Sequence, residues 1–181
     1  TLSAQTLFDR LRDPGQPEGP NNPRFTRVVR TLSAQTSPGD MSEKLGCYVD
    51  LPEAGERIVT RSNFYYLAEP TLIVSSIVPE SVDQCVPGGT GYLNAVSPFT
   101  CARLAKPFFD LNDSGVFTDD ALSSGLQASS VHFSGGMPGE AIIIGDQLVV
   151  GQTSGPPGSI RHNQGKVKLR GRLSWREIVR D

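Results

Sequence analysis

Phe109-Asp-Leu-Asn-Asp-Ser-Gly-Val-Phe-Thr-Asp-Asp-Ala121 sets oxygen-bearing side chains at alternate positions on either side of a glycine. A hard divalent cation takes several oxygens at about 2.3–2.6 Å, and alternate residues of a tight turn point inward to supply them. On the calcium-loop template Asp110 takes position 1, Asn112 position 3, Ser114 position 5 and Gly115 position 6. Val116 at position 7 would give its carbonyl, and Thr118 at position 9 a hydroxyl or a bridging water. Two positions depart from the template: Ser114 replaces an acid, and Ala121 stands where a bidentate acid closes the loop. Asp119 and Asp120 come one or two places early and substitute only if the loop closes differently. Calcium held this way would be held modestly, at about 10⁻⁵ M or weaker. The competing reading is an ion-free turn, since Asp, Asn, Ser and Gly favour turns without any ligand.

Other chemistry is sparse. No Gly-x-Ser-x-Gly elbow occurs. His132 and Ser134 are two apart on a strand, which gives a shared face without a nucleophile–base contact. Gly158–Lys166 lacks the glycine spacing of a phosphate loop, and Gly88-Gly89-Thr90-Gly91 reads as a tight turn. The sequence therefore favours a non-enzymatic protein. Lys166, Lys168, Arg170 and Arg172 alternate with Val167, Leu169, Gly171 and Leu173. This stripe reads as a solvated strand face, with an acidic partner or anionic surface as the alternative.

The elements that must position these groups are short. Among 181 residues, 19 glycines and 14 prolines break up helices. No run approaches the roughly 18 apolar residues of a membrane span, and no charged-then-apolar leader opens the sequence, so an export signal is expected outside it. A net charge of -2 argues against nucleic acid as a partner. Strands are read at 24–32, 47–51, 56–61, 71–78 (closed by Pro79), 91–96 and 165–175, with a hairpin over 141–150 about Gly145-Asp146. The hexamer Thr-Leu-Ser-Ala-Gln-Thr occurs at 1–6 and again at 31–36. The expected class is all-β: sandwich, barrel or propeller. Three cysteines, Cys47, Cys85 and Cys101, allow buried thiols or one disulfide, and spacing does not choose the pair.

Several segments together resemble a family. Gly46-Cys-Tyr-Val-Asp-Leu-Pro-Glu-Ala-Gly-Glu-Arg-Ile-Val-Thr60 is similar to the "GWYxDLP…GERVVT" segment of the PilC/PilY type IV pilus tip proteins. Asp83–Val96, the loop 109–120, Met137-Pro138 with Ile142–Gly151, and Gly171–Ile178 resemble the segments that follow, in order. The resemblance implies the C-terminal portion of a modified β-propeller over 45–181, with the turn-rich segment 1–44 as a candidate to complete a blade. It implies an exported, calcium-binding protein at the pilus tip or outer membrane surface, reached through the periplasm. Its partners would be minor pilins and a host or abiotic surface receptor. Its roles would be pilus biogenesis by opposing retraction, adhesion and twitching motility. The implied calcium ligands are Asp110, Asn112, Ser114 and the Val116 carbonyl, although the family tends to have Asp where Ser114 and often where Thr118 stand. Cys47 stands where the family usually has Trp, and Cys101 where it has Gly, which suggests a Cys47–Cys101 bridge; Cys85–Cys101 is the alternative.

Overall fold

A computed structural model describes residues 2–10, 28–32, 41–83, 86–122 and 125–165. The strands are β1 (Leu2–Arg10), β2 (Val29–Leu32), β3 (Gly46–Asp50), β4 (Asn63–Tyr66), β5 (Pro70–Asp83), β6 (Val86–Val96), β7 (Ser130–Phe133), β8 (Pro138–Ile144), β9 (Gln147–Gln152) and β10 (Gly158–Arg161). A 3₁₀ turn covers Phe117–Asp119. A seven-stranded sheet runs β3-β1-β2-β7-β6-β5-β4, and a three-stranded sheet runs β10-β9-β8. All pairings are antiparallel except β1 with β3. The all-β expectation holds; neither sheet closes into a ring among the described residues.

The longest ladder grows from the branched run in β5. Thr71, Ile73, Val74, Ser75 and Ser76 are buried, and residues from Leu72 to Glu80 pair one for one with Val96 to Gly88. The strand does not stop at Pro79, as the sequence suggests. Pro79 pairs with Gly89 at a point where β5 has outrun β4, an edge position that tolerates a residue without an N–H. Gly88-Gly89-Thr90-Gly91 is likewise strand, not turn. At Gly91 an added Cβ would collide with the Ser76 carbonyl and the Pro138 ring, so glycine lets β8 close onto β6. The expected strand at 56–61 reduces to one bridge, Arg57 with Ile77. The 141–150 hairpin forms as read, with Gly145 left-handed at φ 62°.

Between the sheets lies one apolar cluster. Val29, Ile73, Leu93 and Val131 come from the large sheet, and Ala141, Leu148, Val150 and Ile160 from the small one. The 97–129 connection adds Leu104, Phe108, Phe109, Leu111 and Leu122. Each large side chain buried this way contributes about 1.5–3 kcal/mol.

A polar knot pins β2. Arg30 is wholly buried, although the sequence pattern sets the arginines of 24–30 apart from Phe25 and Val29. Its Nη1 donates to both Glu56 carboxylate oxygens at 2.9 Å, its Nη2 to Glu53 at 3.1 Å, and its guanidinium lies 3.2 Å over the Tyr92 ring. Ser76 donates to Glu56, Asn94 to Ser76, and Ser130 to Asn94. Strands β2, β5, β6 and β7 thereby share one network around a charge that burial alone would make costly.

Candidate functional site: the acidic loop at 110–120

The loop hangs from the core by its first residues. Phe109 pairs with His162, the Asp110 N–H donates to the Arg161 carbonyl at 3.0 Å, and Leu111 is fully buried. At the far end Asp120 and Leu122 are buried too, so residues 112–119 are held at both ends.

Asp110 organises the turn. One carboxylate oxygen accepts the Ser114 N–H at 3.0 Å and the other the Gly115 N–H at 2.8 Å. Asp113 and Gly115 are both left-handed, at φ 57° and 75°; an aspartate tolerates that region and a glycine enters it freely. Asn112 accepts the Ser114 N–H and donates to Asp119 at 2.9 Å. The Ser114 hydroxyl lies 3.2 Å from the Val116 carbonyl and 3.4 Å from Asp119. Thr118 is exposed within the 3₁₀ turn. The structure thus links Asp110, Asn112, Ser114, Val116 and Asp119 in one hydrogen-bonded turn.

Asp120 closes the loop. One oxygen accepts the Leu111 N–H at 2.8 Å; the other is buried and accepts nothing. Burial, with the Asp110 and Asp119 charges adding to it, pushes the Asp120 carboxyl up to about 6, against the pull of the Leu111 and Asn112 N–H groups. The template puts this residue one position too early, yet it returns to the start of the loop.

The donor chemistry suits a hard cation. An orphaned buried carboxylate oxygen lies among like charges, with carbonyl, amide and hydroxyl oxygens nearby. Among the described residues no three Asp, Glu, His or Cys side chains gather closely enough to hold a metal unaided. A cation here would therefore draw on Asn112, Ser114, the Val116 carbonyl and water beside the carboxylates, as calcium with its six to eight oxygens does. Arg161, whose Nη1 comes near Gly115, reaches instead to Asp146, Nε to Oδ2 at 3.5 Å.

Beneath the loop sits a histidine that sequence reading did not connect to it. His162 is 1% exposed, with Phe108 at 5.7 Å between ring centroids, and neither ring nitrogen has a hydrogen-bond partner. Burial holds its pKa below the ordinary 6.5. Only the pairing of Phe109 with His162 reveals the link, and no local pattern announces a bridge across 53 residues.

The other candidates lie elsewhere. Cys47 and Cys101 are joined in a disulfide with Cα atoms 5.7 Å apart, and Cys101 adopts φ 52°, a backbone region ordinarily left to glycine. Lys166, Lys168, Arg170 and Arg172 lie outside the described residues. His132 and Ser134 line an open cleft with Gln152, Pro156 and Pro157, and none of the lining residues is a carboxylate that could orient a histidine base.

No family model matches the chain. Over 159 residues it is 32% identical to the type IV pilus biogenesis factor PilY1 homolog of Xylella fastidiosa (strain Temecula1), an overlap of 84% of this chain and 12% of that protein. In structure it superposes on the crystal structure of the Pseudomonas aeruginosa PilY1 C-terminal domain with a TM-score of 0.56 at 16% identity, covering 91% of this chain and 32% of the other. At that identity the structural likeness speaks for the fold. The chain spans about an eighth of the curated relative and about a third of the solved one.

Proposed function

Because the chain is PilY1-like in both sequence and fold, we propose that it serves a type IV pilus as a non-enzymatic β module. The identity over 84% of its length carries this reading. In it, the two sheets are a section of a modified β-propeller belonging to a larger exported protein. That protein works at the pilus tip or outer membrane surface with minor pilins and a host or abiotic surface. It promotes pilus biogenesis by opposing retraction, and it supports adhesion and twitching motility. Deleting the region from the full protein in its own host should lower surface piliation and twitching. Unchanged piliation would overturn the reading.

Calcium is the second part of the proposal. Asp110, Asn112, Ser114, the Val116 carbonyl, Thr118, Asp119 and Asp120 would hold it, and the orphaned Asp120 oxygen is the observation that favours it. When bound, the ion would supply the positive charge that the loop's carboxylates lack. The chain's own groups do the rest. Asp110 sets the turn through two backbone N–H groups, and the Phe109–His162 bridge anchors that turn to the core. Calorimetric titration of the chelator-stripped chain with calcium should show one site, lost in Asp110→Ala. Absence of heat and of any thermal shift at millimolar calcium would remove the ion from the account.

A further inference from the structure

We propose that residues 57–66 form a docking edge for an extended segment of a partner protein, one that carries acidic residues between apolar ones. These residues run beside β5. Arg57 bridges Ile77, the Thr60 hydroxyl bonds the Ser75 carbonyl, and β4 pairs Asn63 to Tyr66 with Ile73 to Pro70. Among the described residues β4 pairs with β5 alone, and none of them meets the backbone N–H and C=O groups on its other side, which an added strand would satisfy.

The side chains on this edge are unusual for a solvated surface. Tyr66 is 78% exposed, Val59 62% and Phe99 58%, with Ile58 and Phe64 near half. Alternation explains the pair on β4: Tyr65 turns to the core while Phe64 and Tyr66 face out. Phe64 meets Tyr66 edge-on at 4.9 Å and Phe99 at 6.5 Å, which makes one aromatic ledge instead of scattered rings. Clustered exposed apolar area of this kind marks interaction surfaces.

Charge selects the occupant. The stretch 57–66 carries two exposed cations, Arg57 and Arg61, and no acid. Of the nearby carboxylates, Glu69 caps the Ala105 and Lys106 N–H groups, and Glu140 accepts the Asn63 amide at the edge itself, where the two arginines outnumber it. An incoming strand with acidic residues would meet the arginines while its apolar residues cover the ledge. A basic strand would be repelled.

The test uses two fluorescein-labelled peptides, acetyl-(Glu-Val)₄-amide and acetyl-(Lys-Val)₄-amide, with anisotropy read against the full chain. The acidic peptide should bind saturably, at least tenfold tighter than the basic one, and more weakly as salt rises. Phe64→Ser with Tyr66→Ser should weaken it at least tenfold, and Arg57→Glu with Arg61→Glu should reverse the preference. Should the aromatic double variant fail to fold, Tyr66→Ser alone, at a highly exposed position, gives the same comparison. Equal binding of the two peptides, no saturable binding of the acidic one at millimolar concentration, or an affinity indifferent to these substitutions would overturn the proposal.

Discussion

The molecule buries carboxylates in two places and treats them differently. Around Arg30, Glu56 has its counter-charge within the chain: a guanidinium at 2.9 Å, a serine hydroxyl, and an aromatic face stacked on the cation. In the 110–120 loop, Asp110 is served by backbone N–H groups and Asp120 keeps an oxygen with no partner. The first network is complete as folded. The second is built like the first and stops short of neutrality. The two places thus show a buried acid neutralised within the chain and, by contrast, buried acids held by backbone N–H groups with one oxygen left unpartnered.

Substitutions can break this contrast. Glu56→Ala should cost most, about 3–5 kcal/mol, because it strands Arg30 in the interior. Urea unfolding measures it, and the loss should be the same in calcium and in chelator. Calcium at 1 mM should add about 2.7 kcal/mol to the wild type if its dissociation constant is near 10 µM. Glu56→Ala should keep that increment and Asp110→Ala should lose it; an increment surviving in Asp110→Ala would detach calcium from the loop. Asp110→Ala should itself cost about 2 kcal/mol in chelator, through the two N–H groups it leaves without a charged acceptor.

The smallest effect concerns pH. His162 is held below 6.5 in the fold, so the unfolded chain takes the proton first as pH drops. Stability present above pH 6.5 should decline below it, and His162→Phe should flatten that decline in urea titrations made in chelator. The quantity to compare is the difference between wild type and variant. Asp120, raised to about 6, titrates in the same range with the opposite sign: the folded state takes its proton first. An identical slope in both proteins would mean that His162 does not report the loop's anchorage.

Local patterns carried part of this architecture. Branched residues announced β5, and a Gly-Asp turn between apolar runs announced β8 and β9. Alternate oxygens around Gly115 marked the loop, including its left-handed turn. What the pattern could not carry was pairing over distance. Arg30 reads as one more strand arginine because Glu53 and Glu56, the acids that bury it, stand more than twenty residues away in a turn. Gly88–Gly91 reads as a turn because what crowds its glycines is distant in sequence: the β5 carbonyls of Val78 and Ser76 and, at Gly91, the Pro138 ring almost fifty residues on. Asp120 looked misplaced on a linear template, whereas the 3₁₀ turn at 117–119 shortens the path and returns it to Leu111.

The position of β1 has a consequence for how the chain comes together. Leu2–Arg10 lies between β3 on one side and β2 on the other, and β2 in turn waits for β7, with Val29 opposite Val131. A ribosome would therefore release β2 about a hundred residues before β7, the strand that covers its other side. Such wide sequence separation slows folding and leaves early strands uncovered, so a nascent chain of this design would depend on whatever shelters it until residues near 130 have emerged.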